Sequence, residues 1–117
     1  MTIIDKSRDF TIMELYNLTK DPAITTLKKH IGECFEVSDY LLREEDDGKR
    51  ILSLKLPEGE VIASNSPTVQ RSFSDILALY QANGIENPLP ITLLVYTDTS
   101  SKNPDRNFID IRLVESD

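Results

Sequence analysis

The chain has 117 residues, 39% of them hydrophobic and 28% charged, and a formal net charge of −7. That is enough chain to bury a core without covalent staples, and too acidic a surface for a protein that engages nucleic acid on all sides. One cysteine, Cys34, excludes an intrachain disulfide, and one histidine, His30, excludes a multi-histidine metal site.

The first ten residues include Asp5, Lys6, Arg8 and Asp9 and have no apolar signal-peptide core. No apolar run nears the roughly 20 residues of a membrane span. The expectation is one cytoplasmic domain over 1–117 with no membrane contact, 1–30 being a helical extension and 31–117 a barrel.

Taken in order, Thr11-Ile12-Met13-Glu14 reads as a capping box. It opens a short helix through Leu15, Tyr16 and Leu18 that Asp21-Pro22 ends; residues 23–30 read as a further turn or so. Over 32–43 the pattern alternates, with Phe35, Val37 and Leu41 on one face and Glu36, Ser38, Tyr40 and Leu42 on the other. Asp47-Gly48 is a turn dipeptide. Beyond it Leu52, Leu54 and Leu56 point inward, and Ile51, Ser53 and Lys55 outward. Pro57-Glu58-Gly59 turns the chain into a third strand at 61–63.

Ser66 as N-cap and Pro67 at the first helical position start a longer helix. Its Phe73, Ile76, Leu77 and Tyr80 share one face, and Asn83-Gly84 caps its end. Strands at 91–97 and 108–114 follow. Three strands, a helix and two strands is the connectivity of an OB-fold, a five-stranded, partly open Greek-key barrel. The fold expectation is therefore mainly β, of that type.

Catalytic chemistry is thinly represented. His30 and Cys34 are four residues apart, so a Cys/His nucleophilic pair is formally available; a lone cysteine entering a strand is more often a small buried residue. Glu44-Glu45-Asp46-Asp47 offers hard carboxylate ligands but lacks the alternating order of a calcium loop, and a solvated hairpin tip accounts for it. The four glycines are isolated at turns, so there is no phosphate-cradling loop. The chain is expected to be no enzyme and to use no cofactor or metal.

An OB barrel binds oligonucleotides across its second and third strands, flanked by the loops after the first and fourth. Single strands require cations for phosphates and aromatic faces for bases. The outward set is Tyr40, Lys55, Phe108 and Arg112, with Lys49 and Arg50 at the base of the first hairpin and Tyr96 a further candidate contact. Ser100, Lys102 and Arg106 lie in the polar stretch 98–107, which is expected to be a flap. Each residue has a plainer reading: Tyr40 and Tyr96 fill a barrel end, Phe108 starts a core strand, Lys55 and Arg112 are merely solvated. The acids at 44–47 also repel phosphate near Lys49 and Arg50. Convergence on one face is what favours binding.

The stretches "DKSRDFTIMELYNLTK", "ILSLKLPEGEVIASNSPTVQRSFSDILAL" and "TSSKNPDRNFIDIRL" resemble, in that order, segments of a family of small single-stranded-DNA-binding proteins from phages of Gram-positive bacteria. The resemblance implies a non-catalytic protein that coats and protects single-stranded DNA during replication or recombination, in the host cytoplasm. Thr99, Ser100, Lys102 and Phe108 match the family's loop-and-strand motif. Asn65-Ser66-Pro67-Thr68 matches at the helix entry and reads as structural. Asn103-Pro104-Asp105-Arg106 stands where family members carry a compact glycine turn, a departure that bears on the contacts of Lys102. Single-stranded DNA is the expected partner; replication or recombination proteins and a second copy of the chain are further candidates. An acidic protein–protein adaptor or inhibitor on the same fold is the alternative, and an RNA binder another.

Overall fold

The computed structural model describes residues 1–100 and 103–115, with side chains for 1–98 and 108–115. The protein is mainly β, and the described residues form eight strands in two sheets and two α-helices. In chain order these are β1 (Thr2–Lys6), α1 (Ile12–Thr19), β2 (Thr25–Thr26), a 3-10 turn at Leu27–His30, β3 (Cys34–Val37), β4 (Asp39–Glu44), β5 (Arg50–Lys55), β6 (Val61–Ser64), α2 (Pro67–Ala82), β7 (Ile91–Ser100) and β8 (Asn103–Val114). The first sheet runs β1-β4-β5-β6-β2 and the second β3-β7-β8. All ladders are antiparallel except β2 with β6. The sheets do not close into a barrel: among the described residues no ladder joins β6 to β8, and β2 takes the free edge of β6. The segment 1–30 is accordingly not only helical, since it supplies both outer strands of the first sheet.

Local signals account for many of the boundaries. The Thr11 hydroxyl accepts from the Glu14 amide while the Glu14 carboxylate accepts from the Thr11 amide, completing the capping box. Ser66 accepts from the Val69 amide at 3.3 Å ahead of Pro67. The hairpin turn after β4 uses Gly48 at φ 86°, a left-handed conformation that costs other residues more.

The expected single strand over 32–43 is instead two strands broken at Ser38, whose amide and hydroxyl both donate to the Lys55 carbonyl, at 2.8 and 3.1 Å. The break adds a step to the alternation. Phe35, Val37, Tyr40 and Leu42 all face the main core, while Leu41 turns to the far side of the first sheet. Tyr40 is therefore a core residue and no outward aromatic. It is 9% exposed, its ring stands edge-on to Phe73 with centroids 5.0 Å apart, and its hydroxyl donates to Asp5 at 3.0 Å. Burial, together with the Asp5 charge, pushes its phenol up to about 12.

The far side of the first sheet is covered by α1. Leu18 is buried there with Leu41 and Val61. The Ser53 hydroxyl donates to the Leu18 carbonyl at 2.6 Å and accepts from Arg43 at 3.0 Å. A carbonyl of the last helical turn, which has no partner within the helix, is thus satisfied from the sheet.

The polar stretch 98–107, expected to be a flap, is strand on both sides of residues 101 and 102, which lie outside the described residues. Thr99 and Ser100 belong to β7 and residues 103–107 to β8, with a register shift between Thr99 and Ser100. β8 is the edge strand of its sheet, and an edge tolerates a proline such as Pro104. The β3 ladder stops at Leu94, so the ends of β7 and β8 pair as a two-stranded ribbon.

Candidate functional site

Where β5 and β6 approach the start of α2, two adjoining cavities share Asn65. One, about 600 Å³, lies between the first hairpin and α2, and Lys49, Arg50, Gln70 and Arg71 line it. Gln70 Nε2 donates to the Arg50 carbonyl at 2.8 Å and holds the helix against the hairpin. The second, about 400 Å³, has Ile51, Ala63, Val69 and Ile109 as apolar lining, with Lys28 beside them. It occupies the seam where β6 and β8 stay unpaired, and through Ile109 it reaches the β7–β8 ribbon.

No carboxylate lines either cavity among the described residues, in a chain with 20 acidic side chains. Within the described residues Lys28, Lys49 and Arg71 form no ion pair. Arg50, with 57% of its side chain exposed, reaches Glu44 only at 3.4 Å. The N-terminal end of α2 also opens here, adding the positive end of its dipole.

Two of the four hairpin acids expected to oppose phosphate have cationic partners outside the groove, and neither Glu44 nor Asp47 lines it. Glu45 pairs with Arg43 at 2.6 Å and Asp46 with the Met1 amino group at 3.0 Å, while Asp47 accepts from the Lys49 amide at 3.0 Å. The Arg43 guanidinium holds the Glu45 carboxyl below its ordinary value.

Of the residues singled out from sequence, Lys49 and Arg50 come together in this groove, joined by Arg71, Lys28, Asn65 and Gln70. Lys55 does not; it sits at the other end of β5 and lines a separate cavity under α1. Tyr96, Phe108 and Arg112 lie on the outer face of the second sheet, where the register pairs Leu94 with Arg112, Tyr96 with Asp110 and Asp98 with Phe108. That is the opposite face from buried Ile111 and from Ile109 in the groove. Phe108 is 36% exposed, but its face also carries Asp98 and Asp110. Asp110 accepts from Ser72 at 2.7 Å and, more weakly, from the Tyr96 hydroxyl at 3.5 Å. Partial burial and the Asp110 charge raise the Tyr96 phenol. Ser100 and Arg106 fall in β7 and β8, and Lys102 lies outside the described residues.

Cys34 is exposed rather than buried. His30 is engaged by Thr25 at 2.9 Å and Glu33 at 3.1 Å, and no hydrogen bond joins it to Cys34. No cluster of metal-ligating side chains is found among the described residues. No helix among them is long and apolar enough to cross a membrane.

The sequence reading passed over Arg71, Lys28 and Gln70, and took Asn65 as structural. A signal for two of them existed: Gln70 and Arg71 fall off the apolar face set by Phe73, Ile76, Leu77 and Tyr80. Comparison of the chain with protein-family models, curated proteins and solved structures gives no match.

Proposed function

We propose that this protein binds single-stranded DNA along the groove that runs from Lys49, Arg50 and Arg71, past Asn65, to the seam beside Ile109. The observation that carries the reading is the charge of that groove: among the described residues four cations and no carboxylate line it, within a chain of net charge −7. Cations at such spacing neutralise phosphates, which dominate the affinity of non-catalytic nucleic-acid binders. The apolar seam offers a dry surface to an unpaired base.

Connectivity supports the same reading. β4, β5 and β6 form a meander, α2 follows, and β7–β8 returns to pair with β3, which continues into β4. We read this order as an OB-type Greek key that is open, among the described residues, between β6 and β8. The resemblance to the phage family points to the same ligand and to a coating, protective role in replication or recombination. On this reading Lys102, outside the described residues, and Arg106 of β8 are expected to add phosphate contacts.

The test is anisotropy of a labelled oligothymidine titrated with protein at low and moderate salt, with a duplex of equal length as control. Binding to the single strand that weakens with salt, and little to the duplex, is expected. No binding to either at micromolar protein sinks the proposal and leaves an acidic protein-interaction module in its place.

A further inference from the structure

A third cavity, about 460 Å³, lies between α1 and the turn joining β5 to β6. Phe10, Leu18, Ile24 and Val61 form its apolar lining and belong to the small second core that holds α1 on the sheet. Around them stand three carboxylates, Glu14, Asp21 and Glu60, against one ammonium, Lys55.

The three carboxylates differ in what already holds them. Glu14 is taken up by Arg8 at 2.6 Å, which with the Thr11 amide lowers its carboxyl to about 2. Among the described residues the Asp21 carboxylate accepts only the Ala23 amide, at 2.9 Å. Glu60 stands 3.7 Å from His30 Nε2, beyond hydrogen-bond range. Asp21 and Glu60 thus keep acceptor capacity beside an apolar surface.

Phosphate is repelled by such a rim. A lone apolar ligand would satisfy the lining and leave the carboxylates to water. Charge complementarity selects an occupant with both characters.

We infer that this cavity docks a peptide segment of a partner protein, in which a large apolar side chain sits next to a lysine or arginine. The apolar group seats on Phe10, Leu18, Ile24 and Val61, and the cation meets Asp21 and Glu60. Arg50 and Lys55 mark the two ends of β5, about 17 Å apart at ~3.3 Å per residue. A peptide here leaves the cationic groove free, so the inference does not rest on the DNA reading.

The experiment uses the full chain and a panel of labelled peptides. Each carries one Phe, Leu or Trp, flanked by Arg, Ser or Glu, and is titrated by anisotropy. Arg-flanked members are expected to bind best and to weaken as salt rises. The double variant Asp21→Asn with Glu60→Gln should weaken them about tenfold, as removal of a charge-assisted hydrogen bond does, with the fold retained because Glu60 is exposed and an Asn oxygen at half-buried position 21 can still accept from the Ala23 amide. Oligothymidine should not displace them. The inference is overturned by no binding up to millimolar peptide, by equal binding of Ser- or Glu-flanked members, by indifference to the double variant, or by displacement with oligothymidine.

Discussion

The two ends of β5 lie on one strand and have opposite characters. At Arg50 the surface is cationic, although four acids precede it in the hairpin: Glu45 and Asp46 are bound by Arg43 and the Met1 amine, Glu44 pairs with Arg50 itself, and Lys49 and Arg71 form no ion pair among the described residues. At Lys55 the surface is acidic, although a lysine stands in it, because Asp21 and Glu60 converge from other segments. Local field follows from which charges are already paired, and net charge is a poor guide to it. In a chain at −7, a small unpaired set is enough to make one groove attractive to phosphate.

Reversing the cationic end should break this contrast most strongly. Lys49→Glu, Arg50→Glu and Arg71→Glu together are expected to weaken oligothymidine binding about a hundredfold at low salt, at roughly 1 kcal/mol for each cation. Lys55→Glu, at the other end, should change it by less than about twofold. Equal losses at both ends, read by anisotropy, would mean that DNA follows the whole strand.

Leu18→Ala separates fold from site. It should cost about 2–4 kcal/mol in chemical denaturation, because a fully buried side chain is removed from the small core under α1. The folded fraction should bind DNA as before. Tyr40→Phe is expected to cost about 1 kcal/mol through loss of the bond to Asp5, again with unchanged affinity; a large affinity loss would restore Tyr40 as a DNA-binding residue.

That tyrosine also fixes a pH dependence. Its folded value near 12 lies above the ordinary 10, so its contribution is complete below pH 10 and disappears as pH rises toward 12. Glu14 shows the reverse sign. Its value is lowered from 4.5 to about 2, so its contribution is present above pH 4.5 and is lost as pH falls toward 2. Melting temperatures of wild type and Glu14→Gln should draw together as pH falls from 7 to 3 and meet only near pH 2, the smallest of these effects because the carboxylate is close to solvent.

Signals confined to a few residues were legible in the sequence. The capping box at Thr11, the Ser66-Pro67 start of α2, its apolar face and the turns at Gly48 and Gly59 all stand where local chemistry places them. Parity over 32–43 was not legible, because the break at Ser38 reverses the faces of the rest of that strand and carries Tyr40 into the core, whereas the inward Leu52, Leu54 and Leu56 stand where alternation places them. The cover over the first sheet was not legible either. It depends on Ser53 meeting the Leu18 carbonyl across 35 residues, and no local pattern reports that.

The ribbon escaped for a third reason: Asn103-Pro104-Asp105 has loop composition, yet an edge strand accepts it. In the groove, Lys49 and Arg50 were found because they are neighbours in sequence. Arg71 was missed because only the fold brings α2 to the hairpin.

Arg71 therefore supplies the most direct test of the central claim. The salt dependence of oligothymidine binding should be measured for wild type and Arg71→Ala. Weaker binding is expected, with a log–log salt slope shallower by about 0.7, the value for one single-strand phosphate left without its protein cation. An unchanged affinity and slope, with wild-type binding intact, would contradict the claim and move the DNA off the groove.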